Sequence, residues 1–133
     1  MADERHGGLH VELVAADRTV WSGEASMVIA RTVEGDVGVL RGHTPILSLL
    51  TEAAIEIATP DGVVHAAVEG GFISVAGDRV SILSEGALLA EEIKVDEARA
   101  ELDSAEGLPT TDEERDRLIR LASARIRAAE RAS

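Results

Sequence analysis

The chain has 133 residues and a formal net charge of −12, a balance that argues against nucleic acid or an anionic membrane surface as a direct partner. It contains no cysteine, which excludes disulfides and thiolate metal sites. No apolar run approaches the ~18 residues needed to cross a bilayer, and residues 1–8 do not resemble a signal peptide, so a soluble intracellular protein with no direct lipid insertion is expected.

In chain order, Leu9, Val11 and Leu13 alternate with His10 and Glu12, the pattern of a half-buried strand, and Asp17-Arg18 suits a turn. Residues 20–30 read as one long strand with a bulge near Gly23. Residues 34–50 hold a turn, a short apolar strand, the kinked turn Arg41-Gly42-His43-Thr44 and another apolar strand. Glycines at 35, 38 and 42 allow positive φ or close approach, and Pro45 pushes Thr44 toward extended backbone, so this stretch suits the rim of a sheet. Val37, Val39 and Leu40 on one side, with Ile46, Leu47, Leu49 and Leu50 on the other, are expected to hold that turn as buried neighbours. Ile55 and Ile57 alternate with Glu56, Thr59-Pro60-Asp61-Gly62 has turn chemistry, and residues 63–69 pair back as a hairpin partner. Gly77-Asp78 forms a two-residue hairpin loop between Ile73/Val75 and Val80/Ile82, and Leu88 and Leu89 close this part. Short strands every eight to twelve residues, with no helical period before residue 95, predict a β sandwich or flattened barrel of eight to ten strands over residues 1–90. With only Trp21 and Phe72 as aromatics, its core is made of Val, Ile, Leu and Ala.

After Glu91 the period becomes helical. Val95, Ala98, Leu102 and Ala105 share a face, with Asp96 as the cap and Gly107-Leu108-Pro109 as the stop. A second helix opens with the capping box Thr111-Asp112-Glu113-Glu114 and carries Leu118, Leu121, Ala122, Ile126 and Ala129 on one face. Residues 91–133 are thus predicted to form an antiparallel helical hairpin, a second domain of high charge density with 8 basic and 12 acidic side chains. Its large apolar residues, Leu102, Leu118, Leu121 and Ile126, offer roughly 1.5–3 kcal/mol each if fully buried. A hairpin held so weakly can be displaced by a ligand or partner, so regulation is expected there.

Gly35-Asp36-Val37-Gly38-Val39-Leu40 followed by Gly42-His43-Thr44-Pro45-Ile46-Leu47 resembles the signature of the epsilon subunit of bacterial F-type ATP synthases, with Arg41 where that family usually has proline. Glu69-Gly70-Gly71-Phe72 with Val80-Ser81-Ile82-Leu83, and Val95-Asp96-Glu97-Ala98-Arg99-Ala100, resemble two further motifs of that family in the same order. The resemblance implies a non-catalytic subunit of a proton-translocating complex: a β-sandwich foot on the central stalk, bound to the gamma subunit, resting on the membrane ring at the cytoplasmic face of the plasma membrane. It further implies that the loop from Asp36 to His43, with Arg41, faces the ring, and that the hairpin extends toward the alpha/beta catalytic head. Contacts of Arg115, Arg117, Arg120, Arg125 or Arg127 with acidic loops of that head would then hinder ATP hydrolysis. In some relatives the motif matching Asp96 and Arg99 takes part in binding ATP as a regulatory ligand; no other cofactor is implied.

Blander readings stand beside these. His43 could simply bond a nearby carbonyl; Trp21 suits packing or an interface; Gly70-Gly71 suits a bulge or crossing of strands. Asp96 could cap its helix, with Arg99 pairing with Asp96 or Asp103. His6, His10 and His65 are scattered, which disfavours a metal site, and no serine sits in a nucleophile motif. The alternative from another class is a freestanding nucleotide sensor whose hairpin closes on ATP.

Overall fold

The computed structural model describes residues 8–132. Leu9, Val11, Leu13 and Ala15 are buried while the residues between them are half-exposed, the period of two that one covered face imposes, and they form β1 (Leu9–Ala15). There follow β2 (Arg18–Ala25), β3 (Met27–Thr32), β4 (Gly35–Leu40), β5 (Ile46–Thr59), β6 (Gly62–Ala76), β7 (Arg79–Ser84) and β8 (Ala87–Leu89). The order along the sheet is β2-β1-β7-β6-β5-β3-β4, with β8 paired to β6 off this path. β1 and β7 run parallel. The sheet closes over a core of Leu9, Leu13, Val28, Ile55, Ile57, Val68, Ile73, Val75 and Ile82, contributed by β1, β3, β5, β6 and β7.

The long strand expected over residues 20–30 is instead two strands broken at Ser26. The irregularity lies opposite Leu13 and Val14, which pair with Trp21 and Thr19, so Val20 is the extra residue. Gly23 is regularly paired with Val11. Its smallness answers another need: a Cβ there would lie 3.0 Å from the indole ring of Trp21, which covers it.

The hairpin partner expected to end at Glu69 continues to Ala76. Gly70 and Gly71 sit at φ +91° and +113°, and a Cβ on Gly71 would overlap the Leu83 carbonyl oxygen. At this bend β6 changes neighbours. Ala66–Val68 pair with β8 and Phe72–Ala76 with β7, while β5 follows along most of the other edge. Gly77 (φ +56°) and Asp78 (φ +63°) make the expected two-residue turn. In the turn after β5, Thr59 Oγ1 accepts the Asp61 N–H at 3.2 Å and donates to the Gly62 carbonyl at 2.7 Å.

A single 3₁₀ turn, Ala90–Glu92, leads into α1 (Val95–Glu106) and α2 (Asp112–Ala132). Asp96 is not the cap of α1; Lys94 holds that position without a side-chain bond, and Asp96 lies within the first turn, where the helix dipole still favours its charge. At α2 only half of the expected capping box forms. The Glu114 N–H donates to Thr111 Oγ1 at 3.2 Å, while the Glu114 carboxylate turns to Arg117. The hairpin lies with α2 against β5 and β6 and α1 against α2.

Candidate functional site

The contact between α2 and the sheet is built from the smallest apolar side chain. Ala124 and Ala128 of α2 and Ala67 of β6 form a buried cluster, with Ala54 and Ile93 packed against it. Leu121 is buried, but Leu102, Leu118 and Ile126, expected to carry the docking, are only half-buried. Three arginines of α2 reach glutamates of the sheet. Arg120 Nε donates to Glu52 at 2.9 Å, Arg131 Nη1 to Glu56 at 2.9 Å, and Arg125 lies 3.5 Å from Glu69 while also bonding Glu101 of α1 at 3.3 Å. Methyl burial at about 0.8 kcal/mol, the one buried leucine, Leu121, and partly exposed ion pairs at about 0.2–1 kcal/mol each make this a dock of a few kcal/mol.

The other candidate arginines divide. Arg115 is turned inward on the loop between the helices, donating to the carbonyls of Leu108 (2.8 Å) and Thr110 (3.1 Å) and to Asp112 (2.7 Å). Arg117 donates to both carboxylate oxygens of Glu114; this bond holds the Glu114 carboxyl below its usual range and raises the guanidinium. Arg127 is exposed and, with Arg31 and Arg120, lines a cleft of about 550 Å³ between α2 and the β3–β4 turn. Arg99 pairs with Glu130 of α2 at 3.1 Å, not with Asp96 or Asp103, and Asp96 is exposed. At the hinge from sheet to hairpin, Glu92 accepts from Arg18 at 2.8 Å and from the Leu89 N–H at 2.9 Å; these two bonds, the arginine's first, lower its carboxyl pKa.

The rim stretch is not one loop. Asp36 and Arg41 stand at opposite ends of β4, five residues and roughly 17 Å apart at ~3.4 Å per residue, and Asp36 takes both Nε (3.0 Å) and Nη2 (3.4 Å) of its cross-strand partner Arg31. Arg41 and His43 do share a turn, in which the His43 N–H donates to the Leu40 carbonyl at 3.1 Å and His43 Nδ1 lies 2.6 Å from the Thr44 carbonyl oxygen. Trp21 is half-buried against the core. His10 and His65 lie on separate strands, His6 is outside the described residues, and among the described residues no three metal-binding side chains converge.

The flanks of that turn are where the sequence reading failed. Val39 and Leu50 are buried, but Leu40, Leu47 and Leu49 are 56%, 73% and 49% exposed. Leu49 pairs with Phe72 and Phe72 with Leu83, so three half-exposed apolar side chains stand side by side across β5, β6 and β7. The missed signal was parity. Leu47 and Leu49 are apolar at positions opposite in parity to Ile46 and Leu50, and a strand apolar on both parities has two faces to cover.

Residues 8–90 match the family model described as ATP synthase, Delta/Epsilon chain, beta-sandwich domain. The ATP synthase epsilon chain of Streptomyces avermitilis is 52% identical over 120 residues, spanning 88% of this chain and 97% of that protein. That of Thermobifida fusca is 50% identical over 125 residues, 91% of each. A chain in the mitochondrial ATP synthase of Euglena gracilis (OSCP/F1/c-ring) superposes with a TM-score of 0.74 at 23% identity, covering 93% of this chain and 80% of that one. One in the central stalk/c-ring structure of the Tetrahymena thermophila mitochondrial ATP synthase superposes at 0.61 and 14% identity, covering 93% of this chain and 95% of that one. Sandwich, order of elements and sequence all agree, and the chain belongs to the epsilon-chain family of ATP synthase, a non-catalytic subunit of that complex.

Proposed function

We propose that this subunit couples the membrane ring to the catalytic head as part of the central stalk, and that its hairpin restrains ATP hydrolysis when it leaves the sheet. The observation that carries the regulatory part is the dock itself: alanine contacts and three partly exposed Arg–Glu pairs hold α2 on β5 and β6. Released, α2 would carry Arg120 and Arg125 from their glutamates, and Arg127 with them, to acidic loops of the alpha/beta head. The outward row Leu49–Phe72–Leu83 supplies an apolar surface for the gamma subunit, and the Arg41–His43 turn meets the ring at the cytoplasmic face of the membrane. Among the described residues no helix is long and apolar enough to cross a membrane.

Assembling the complex with a chain lacking residues 91–133 tests the reading. Faster ATP hydrolysis is expected; an unchanged rate refutes an inhibitory hairpin, and a chain that purifies from native membranes without the complex favours the freestanding nucleotide sensor. A regulatory ATP at Asp96 and Arg99 belongs to the same proposal. It is favoured by the position of Arg99 early in α1, exposed, with an exposed Glu130 to exchange for a phosphate. Backbone shifts around Asp96 and Arg99 should move as the isolated chain is titrated with ATP; static shifts at millimolar ATP remove that part.

A further inference from the structure

The turn carrying Arg41 and His43 closes through one internal hydrogen bond, from the His43 N–H to the Leu40 carbonyl, with Gly42 at φ +85°. Positive φ at the third of four residues is type II geometry, and the N–H of that third residue takes no part in the turn's own bond. Here it donates to Asp78 Oδ1 at 2.7 Å. Asp78 stands in the β6–β7 turn, and its carbonyl also accepts the His10 N–H at 2.9 Å. One residue therefore joins three segments at this end of the sheet: the start of β1, the β6–β7 turn and the turn after β4. The second position of a type II turn favours proline, whose ring presets φ, and this chain has Arg41 there. A turn without that preset depends more on an outside bond.

We infer that Asp78 is a positioning residue for the Arg41–His43 turn: its carboxylate holds the Gly42 amide and thereby sets how Arg41 and His43 are presented. The inference rests on the proposed function for what the turn meets, not for how the turn is held. Charge assistance makes this bond stronger than a neutral one, and the partner N–H is left to water when the acceptor is removed.

Asp78→Gly removes the acceptor while keeping a residue at ease at φ +63°, and Asp78→Asn keeps both an acceptor oxygen and tolerance of that backbone. In the isolated full chain, amide exchange of Gly42 should quicken about tenfold or more in Asp78→Gly and stay within about threefold of the parent in Asp78→Asn. Adding Arg41→Pro to Asp78→Gly should leave Gly42 fast but slow the His43 amide, which makes the turn's own bond, back toward its parent rate. Parental Gly42 exchange in a folded Asp78→Gly overturns the inference, as does faster exchange caused by Arg41→Pro alone, since a type II turn accepts proline there. In the assembled complex, Asp78→Gly should lower the protons pumped per ATP hydrolysed, with Asp78→Asn restoring the ratio. A loosened Gly42 amide with unaltered pumping upholds the positioning role and refutes the ring-facing reading instead.

Discussion

If ion pairs hold the hairpin closed, neutralising their sheet-side partners should open it without disturbing the sandwich. The perturbation is the triple substitution Glu52→Gln, Glu56→Gln, Glu69→Gln, which removes the carboxylates facing Arg120, Arg131 and Arg125. Arg120 and Arg131 are 50% and 54% exposed, so screening weakens their pairs, while Arg125 and Glu69 are more covered at 20% and 33% but 3.5 Å apart; about 0.5 kcal/mol for each pair lies within the usual 0.2–1. Three such pairs total about 1.5 kcal/mol, close to a tenfold change in the open-to-closed ratio. Arg125 keeps its bond to Glu101, which travels with the hairpin, so α1 and α2 leave together, and off the sheet they lose the packing that supplies most helical stability and expose their amides. Amide hydrogen exchange of α2 in the isolated chain reads this directly: at ~50 mM salt the variant should exchange about ten times faster than the parent. Raising salt to ~0.5 M should accelerate the parent and leave the variant nearly unmoved, because the Debye length falls to a few ångströms. Asp36→Asn, which breaks a pair internal to the β3–β4 hairpin, is the control and should change nothing in α2. If α2 in the triple variant exchanges within twofold of the parent at low salt, apolar packing alone holds the dock and the ion pairs contribute nothing to it.

Three other outcomes follow from the geometry. Gly71→Ala combines φ +113° with a Cβ placed on the Leu83 carbonyl and should cost about 3 kcal/mol or more, read as a large fall in Tm, whereas Gly62→Ala, strained in φ but with open space around it, should cost less. Phe72→Glu replaces a side chain already 48% exposed, so the isolated chain should keep its Tm to within a few degrees while its retention in the purified complex drops; undiminished retention would remove the apolar row as a docking surface. Glu92 has its carboxyl pKa lowered in the folded chain by Arg18, so its stabilising effect is present above about pH 4.5 and is lost as the pH falls through the folded value. Glu92→Gln should therefore lower Tm at pH 7 and converge with the parent as the pH falls through the folded value; a difference that stays constant on acidification would contradict the pairing.

What could be read from the sequence was local. Thr59–Gly62 and Gly77-Asp78 determine their turns through their own φ preferences and side-chain bonds, and the alternation from Leu9 to Leu13 needs no knowledge of distant neighbours. Glu52 and Arg120 are 68 residues apart and Glu56 and Arg131 are 75, so nothing in either neighbourhood announces the pair. The hairpin interface misled for a different reason. Ranking helix residues by apolar volume favours Leu102, Leu118 and Ile126, yet closeness to a sheet favours the side chain that lets backbones approach, and Ala124 and Ala128 take the contact. That choice bears on mechanism. A leucine seam would bury each side chain for about 1.5–3 kcal/mol and grow costly to open, whereas alanine contributes about 0.8 kcal/mol per methyl and leaves exposed ion pairs to set the remainder. A hairpin held that way responds to charge in its surroundings, so the acidic surface of a neighbouring subunit can compete for the same guanidinium groups that the sheet now holds.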